Sequence, residues 1–283
     1  MKNVLVPTDF SDNAMNAVRF ALEFFKYDNC EFFFLHTYED EVYEKHRLLE
    51  EESFDKIRET AKIKSEENLK LLLKDVKTLA PHKRFNYHII SAYNSILDEV
   101  DKIVIDKNID LIVMGTKGES TNHAYAFGSN TLQVLKYVAC PVLVIPEFCT
   151  YDQPKHILFP TNFLIPYNRR ELKLLSTLLK PFRSVVDVLY IAKYSNLSRR
   201  QIDNREFLIE ELEGLELKFE TVDKKDVSKA IMHHIEAYKI DLLVMANTRH
   251  SYLEDMLFRS KVDEISLHTN IPFLALQNIR RTI

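Results

Sequence analysis

The sequence predicts an α/β protein made of two tandem open-sheet α/β domains, each a five-stranded parallel sheet flanked by helices. Three observations carry this. Short β-branched or aromatic runs alternate with longer stretches of helical period, the pattern of βα units around a parallel sheet. The pattern occurs twice: VLVPTDFS at Val4 to Ser11 is echoed by ILFPTNFL at Ile157 to Leu164, IDLIVMGTKG at Ile109 to Gly118 by IDLLVMANTR at Ile240 to Arg249, and CPVLVIP at Cys140 to Pro146 by IPFLALQ at Ile271 to Gln277. The length, 283 residues, suits two domains at about 100 to 200 residues each. The first echo is displaced by 153 residues and the others by 131, so the second copy lacks 22 residues between its first and fourth strands. Two copies differing by one length change describe a tandem duplication, divided here into 1–150 and 151–283, with Tyr151 to Lys155 as the linker.

In the first copy the strands are Asn3 to Val6, Glu31 to His36, Phe85 to Ile90, Leu111 to Met114 and Val142 to Ile145. The helices between them carry apolar faces at Ala14, Ala17, Val18, Ala21 and Phe25, at Leu69, Leu72, Leu73, Val76 and Ala80, at Ile96, Val100, Ile103 and Val104, and at Leu132, Leu135, Val138 and Ala139. These stripes read as core packing. The second copy repeats the order with strands near Ile157 to Phe159, Val186 to Ile191, Leu217 to Thr221, Leu242 to Met245 and Phe273 to Leu276. Its missing residues fall between strands two and three, where the first copy has the charged stretch Glu39 to Arg84, read as a solvated helical arm over Glu39 to Lys83.

Lys and Arg number 38 against 42 Asp and Glu, a net charge of −4, which gives no cationic surplus for nucleic acid or anionic membrane. The opening residues are too little apolar for a signal peptide, and no run approaches the roughly 20 apolar residues of a membrane span. Cys30, Cys140 and Cys149 have neither an even count nor CxxC spacing, so a disulfide framework or structural zinc is not indicated and a cytoplasmic location is expected.

Glycine is the informative residue. A chain of this length ordinarily carries about twenty; this one has four, and Gly115, Gly118 and Gly128 fall within fourteen residues. In an open parallel sheet, ligands bind beyond the carboxyl ends of the strands where strand order reverses. The turn Pro7-Thr8-Asp9 and the turn Gly115-Thr116-Lys117-Gly118 both leave strands at that edge, and Gly115, lacking Cβ, would let backbone N–H groups approach an oxyanion. Gly128-Ser129-Asn130 opens the helix of Leu132 and Leu135, whose unpaired N–H groups and positive dipole end suit phosphate, with the Ser129 hydroxyl as an added donor.

G-x2-G-x9-G-S after a strand, with V-P-T-D-F-S near the start and C-P-V-L-V-I-P closing the copy, resembles the ATP-binding pattern of the universal stress protein family, and the tandem two-domain members of that family have this length and order. The resemblance implies a strand order 3-2-1-4-5 in each half, the halves associating through their last strands as an intrachain pseudo-dimer, with a homodimer of chains as a further option. It implies that Pro7, Thr8 and Asp9 contact adenine with main-chain groups of Thr37. Met114 and Gly115 then lie near the ribose, and Gly118, Gly128, Ser129 and Asn130 hold the phosphates of ATP, ADP or AMP, with Mg2+ between them. Asn130 departs mildly from the Val or Thr common in the family. In the second copy Ala246, Arg249 and Arg259 replace the three glycines, Asn162 replaces Asp9, and only Ser260 is kept, so loss of nucleotide binding is expected there, with an anion held by the two arginines as the alternative.

Other constellations are weaker. His233 and His234 diverge by about 100° on a helix, His36 reads as a core or rim histidine, and His123 as a surface one. Ser11 and Ser129 read as helix N-caps, since neither has a GxSxG context. No GxxxxGK[ST] occurs. The function expected is a stress-response module that binds an adenine nucleotide and a protein partner. The competing readings are a nucleotide-free scaffold and an ATP-using transferase or slow ATPase. Neither a HIGH-type motif nor an SGGxDS loop is present to support a transferase.

Overall fold

A computed structural model describes residues 1–48, 52–81, 83–116, 127–191, 196–222, 227–247 and 270–278. The first half runs β1 (Lys2–Pro7), α1 (Asp12–Phe24), β2 (Cys30–Thr37), α2 (Glu39–Leu48), α3 (Phe54–Leu79), β3 (Phe85–Ala92), α4 (Ile96–Asp106), β4 (Leu111–Gly115), α5 (Ser129–Tyr137) and β5 (Val142–Ile145). The second runs β6 (His156–Thr161), α6 (Arg169–Leu179), β7 (Val185–Ile191), α7 (Arg199–Glu211), β8 (Glu216–Val222), α8 (Val227–Tyr238), β9 (Leu242–Asn247) and β10 (Phe273–Gln277). The strands lie in the order β3-β2-β1-β4-β5 in one half and β8-β7-β6-β9-β10 in the other, the 3-2-1-4-5 order in both. The described residues up to Cys140 form one compact unit and those from Pro141 onward a second. This division precedes the Tyr151 to Lys155 linker because β5 pairs antiparallel with β10, Val144 opposite Phe273.

The inner strands are apolar nearly throughout because helices cover both faces of a parallel sheet, while the outer strands β3 and β8 carry polar, partly exposed side chains. Val4, Leu5 and Val6 of β1, Phe32 and Phe34 of β2, and Ile112 and Val113 of β4 have no exposed surface. With no Trp and 18 Phe, the core is built on phenylalanine; Phe25, Phe32, Phe85 and Tyr87 pack edge-to-face and stacked at 5.0 to 6.2 Å.

The two displacements seen in the sequence recur in the backbone. Phe10 and Phe163, 153 apart, both take left-handed φ values, +64° and +53°, and Asn108 and Lys239, 131 apart, do the same at +46° and +51°. Asp110 N–H donates to the Asn3 carbonyl at 2.8 Å while the Asp110 carboxylate accepts from Asn3 N–H; Asp241 and His156 repeat both bonds.

The stretch from Glu39 onward is not a solvated arm. Ile57, Ala61, Ser65, Leu69, Leu72 and Val76 form a buried stripe along α3, which is the crossover helix lying on β2 and β3. Leu69, Leu72 and Val76 marked only the lower half of that stripe; the upper half joins Val42 of α2 and Tyr38 in a small cluster with Phe54 and Tyr93.

His233 and His234 part as helix geometry requires, the first exposed and the second buried. The His234 ring lies 3.9 Å from a carboxylate oxygen of Asp187 and 3.9 Å from one of Glu220, and 4.3 Å from the Tyr238 ring. Burial holds its pKa below the ordinary 6.5, against the upward pull of Glu220 and Asp187 and with a downward push from His233. A histidine depressed on folding leaves stability intact above the unfolded value and removes it as pH falls below about 6.5, because the unfolded chain then binds the proton more readily. Stability measured by denaturant is therefore expected to fall between pH 7 and pH 5, and His234→Phe to flatten that fall; an unchanged slope in the variant would assign it to other groups.

Candidate functional site

Strand order reverses between β1 and β4, and both end at the same edge. Past β1, Thr8 N–H donates to the Leu35 carbonyl at 2.8 Å, tying the turn to β2. The Thr8 hydroxyl accepts from Phe10 N–H at 3.0 Å, and the Asp9 Oδ1 accepts from Ser11 N–H at 3.1 Å and from the Ser11 hydroxyl at 2.6 Å. These bonds hold Phe10 in its left-handed conformation, costly for a bulky residue by about 1 to 2 kcal/mol. The Ser11 oxygen also accepts from Ala14 N–H at 3.2 Å and caps α1, as its sequence context indicates. Pro7 and Thr8 are buried, while Asp9 is exposed at the rim. Thr37 closes β2 opposite Ala92, half-buried beside the same edge.

Phe10 rests on the His36 ring at 4.7 Å, and His36 Nδ1 is 2.8 Å from the hydroxyl of Ser65, which is 2.7 Å from that of Ser91. Burial lowers the His36 pKa, outweighing the pull of Glu41 and Asp9, while Lys64 adds to the lowering. The ring is thus neutral near pH 7, a prop for the turn rather than a charge in the crevice.

On the other side, α5 is sewn to the end of β4. Gly128 N–H donates to the Thr116 carbonyl at 2.6 Å and the Thr131 hydroxyl to the Gly115 carbonyl at 2.9 Å. Gly128 is the N-cap, so Ser129 is the first helical residue and not the cap its sequence suggests. Leu132 N–H to the Gly128 carbonyl is the first intrahelical bond, so the N–H groups of Ser129 and Asn130 open onto the exposed edge with the positive end of the helix dipole.

Two expectations change in their reason. An ideal Cβ on Gly115 would stand 2.7 Å from Asn13 Nδ2, 3.0 Å from its Cγ and 3.2 Å from its carbonyl oxygen. Glycine is therefore required here by the close approach of α1, whose Asn13 amide reaches the Thr116 hydroxyl at 3.4 Å, rather than by an anion alone. The Met114 side chain is buried, leaving only its main chain to face a ligand. Asn13 and Thr131, which with Thr116 of the β4 turn bring α1, β4 and α5 together, went unnoticed in the sequence; the signal available was a hydroxyl three residues past Gly128 and an amide four past Asp9. Gly118, Lys117 and His123 lie outside the described residues, as do Arg249, Arg259 and Ser260.

The second half repeats the turn. The Thr161 hydroxyl accepts from Phe163 N–H at 2.9 Å and Asn162 Oδ1 from Leu164 N–H at 2.9 Å, matching Thr8 and Asp9 position for position.

The doubly wound sheet, with the Pro-Thr-Asp turn and the glycine-opened helix both at the edge where strand order reverses, defines the fold class and the crevice at which such sheets bind ligands. The pattern of the universal stress protein family matches residues 1–146, and the chain belongs to that family. Universal stress protein MJ0531 of Methanocaldococcus jannaschii is 29% identical over 146 residues, covering 52% of this chain and 82% of that protein. Universal stress protein MJ0577 of the same organism is 29% identical over 160 residues, covering 51% of this chain and 94% of that protein. The crystal structure of a universal stress protein from Archaeoglobus fulgidus superposes with a TM-score of 0.69 at 16% identity, over 97% of this chain and 98% of that one, a likeness of fold. Among the described residues, no helix is long and apolar enough to cross a membrane.

Proposed function

We propose that the first half binds an adenine nucleotide, ATP, ADP or AMP, and that the chain works in the cytoplasm as a stress-response module whose occupancy alters its association with a protein partner. In this reading 1–150 is the nucleotide-binding domain, and 151–283 is a second domain of the same family whose motif has degenerated. Pro7, Thr8, Asp9 and the main chain of Thr37 form the adenine end. Met114 and Gly115 lie along the ribose, and Gly118, Gly128, Ser129 and Asn130 take the phosphates. Among the described residues no three His, Cys, Asp or Glu side chains converge as a metal site, so Mg2+ would enter with the phosphates and keep several waters.

The observation that carries this is the pair Asp9 and Asn162. Both side chains make the same bond to the N–H two residues on, so an amide serves in that bond as a carboxylate does; the exposed Asp9 carboxylate also accepts from the Ser11 hydroxyl. A carboxylate at that rim can accept from the exocyclic amine of adenine, a donor that guanine lacks at the corresponding position.

Asp9→Asn is accordingly expected to keep the melting temperature near that of the wild type and to weaken ATP binding by roughly 10-fold or more, the scale of one charge-assisted hydrogen bond. The preference for ATP over GTP should shrink with it. Calorimetric titration of both nucleotides checks this, together with mass spectrometry of any nucleotide released from freshly denatured protein. Wild-type protein that neither carries nor binds an adenine nucleotide would leave the scaffold reading in its place.

A further inference from the structure

The crevice of the second half differs from that of the first in how its helix begins. In the first half α1 starts at Asp12, right after its Ser11 cap, and its first turn brings Asn13 against Gly115. At the displacement of 153, the residue equivalent to Asp12 is Ile165, yet α6 begins only at Arg169, capped by the Asn168 side chain on Arg170 N–H. The first helical turn is therefore unwound into the loop Asn162 to Asn168. This accounts for Ala246 at the Gly115 position, since no first turn crowds its Cβ.

The unwound loop places Tyr167 at the point where β6 and β9 part. Its hydroxyl bonds to that of Thr161, the last residue of β6, and its ring packs edge-on against Phe159 at 5.7 Å and 70°. The loop is tied down from the far side by the Asn278 amide, which donates to the Pro166 carbonyl, and from below by the Gln201 amide, which donates to the Asn162 carbonyl at 2.7 Å. Two small open pockets, with room of only about 10 and 20 Å³, adjoin the ring; Tyr167 and Ala246 line both, one reaching Glu171, Leu172 and Leu276 and the other Phe159, Asn162 and Met245.

We propose that Tyr167 is a built-in occupant of the second crevice: a phenol ring from the chain itself fills an aromatic site between β6 and β9, and the second half takes a small planar aromatic only when that ring is removed. The walls mix apolar side chains, Phe159, Met245, Leu172 and Leu276, with polar ones, Asn162 and Glu171, and the Thr161 hydroxyl provides a polar anchor suited to a phenol. Removing the ring leaves Phe159 and Thr161 without their partner and opens a space of the ring's own shape, which a small phenol can refill with the same two contacts. The proposal concerns the second half only and stands apart from nucleotide binding by the first.

The test is Tyr167→Ala in the full chain, titrated with p-cresol by calorimetry and by thermal melting. The variant is expected to melt below the wild type, to bind p-cresol saturably and to recover part of the lost melting temperature, as ligation of the native state alone requires. The wild type should show neither effect, and ATP binding should be the same in both. A folded variant indifferent to p-cresol, or a wild type that binds it equally, would overturn the proposal. If the variant does not fold, the wild type still decides: NMR contacts from the Tyr167 ring to Phe159 and to the Thr161 methyl are expected, and their absence would overturn it.

Discussion

Gly128→Val is expected to lower affinity for adenine nucleotide by at least about 100-fold, some 2.7 kcal/mol, while the fold survives. Gly128 sits at φ −69° and ψ 158°, extended backbone that valine adopts freely, so the substitution introduces no left-handed strain. Its N–H to the Thr116 carbonyl is a main-chain bond that any residue but proline preserves. Exchanging glycine for a β-branched residue at an N-cap costs on the order of 1 kcal/mol or less. What changes is the approach to the first N–H groups of α5: a branched Cβ projects from the residue just ahead of the donors of Ser129 and Asn130, where a phosphate must come within hydrogen-bond distance. Calorimetry for affinity and thermal melting for stability separate the two effects. Undiminished ATP affinity in a folded variant would remove α5 from the site.

Gly115→Val should act in the opposite way, through the fold. Its Cβ would stand 2.7 Å from an amide nitrogen that is buried and engaged with Thr116, and 3.2 Å from the backbone oxygen of Asn13, so neither neighbour can yield cheaply. Overpacking of this kind costs about 1 to 3 kcal/mol, and the two methyl groups push toward the upper end. A chemical-denaturation midpoint reads that loss directly. Asn13→Ala in the same chain removes the two nearest atoms and leaves only the backbone oxygen, so the double variant should recover a substantial part of the lost stability. Simple addition of the two losses would mean that the crowding lies elsewhere.

The succession of ten strands along the chain was legible because most are short apolar runs and because the chain states its pattern twice, while their order in the sheet came from the family resemblance. Their ends were less so: β3 continues through Ser91 and Ala92, and β6 through Pro160 and Thr161, where hydrogen bonding to a neighbouring strand, and not hydrophobicity, sets the limit. The upper half of α3 was missed because its small residues have partners that no periodicity records: Ala61 packs in the cluster with Val42 of α2, and Ser65 meets the His36 and Ser91 side chains. At the candidate site, the glycines pointed to the edge where β1 and β4 part, and the Ser11 cap could be read from neighbouring residues. The reason for Gly115 could not, since it depends on an Asn 102 positions earlier in the chain. Nor could Tyr167: the sequence shows an aromatic in a proline-containing loop, and only the late start of α6 turns it into the filling of a crevice.

The cysteines bear on how this chain meets oxidants. Cys30 lies at the foot of β2 with no exposed surface, and burial first, then the nearby Asp28 carboxylate, pushes its thiol up to about 12; burial carries Cys149 to about 11. At neutral pH both are held as the thiol and away from the thiolate, the form that hydrogen peroxide and disulfides attack. Cys140 is equally enclosed, with its sulfur toward the Ile109 carbonyl. Burial and the raised thiol pKa therefore make Cys30 and Cys149 slow to react with oxidants while the chain is folded.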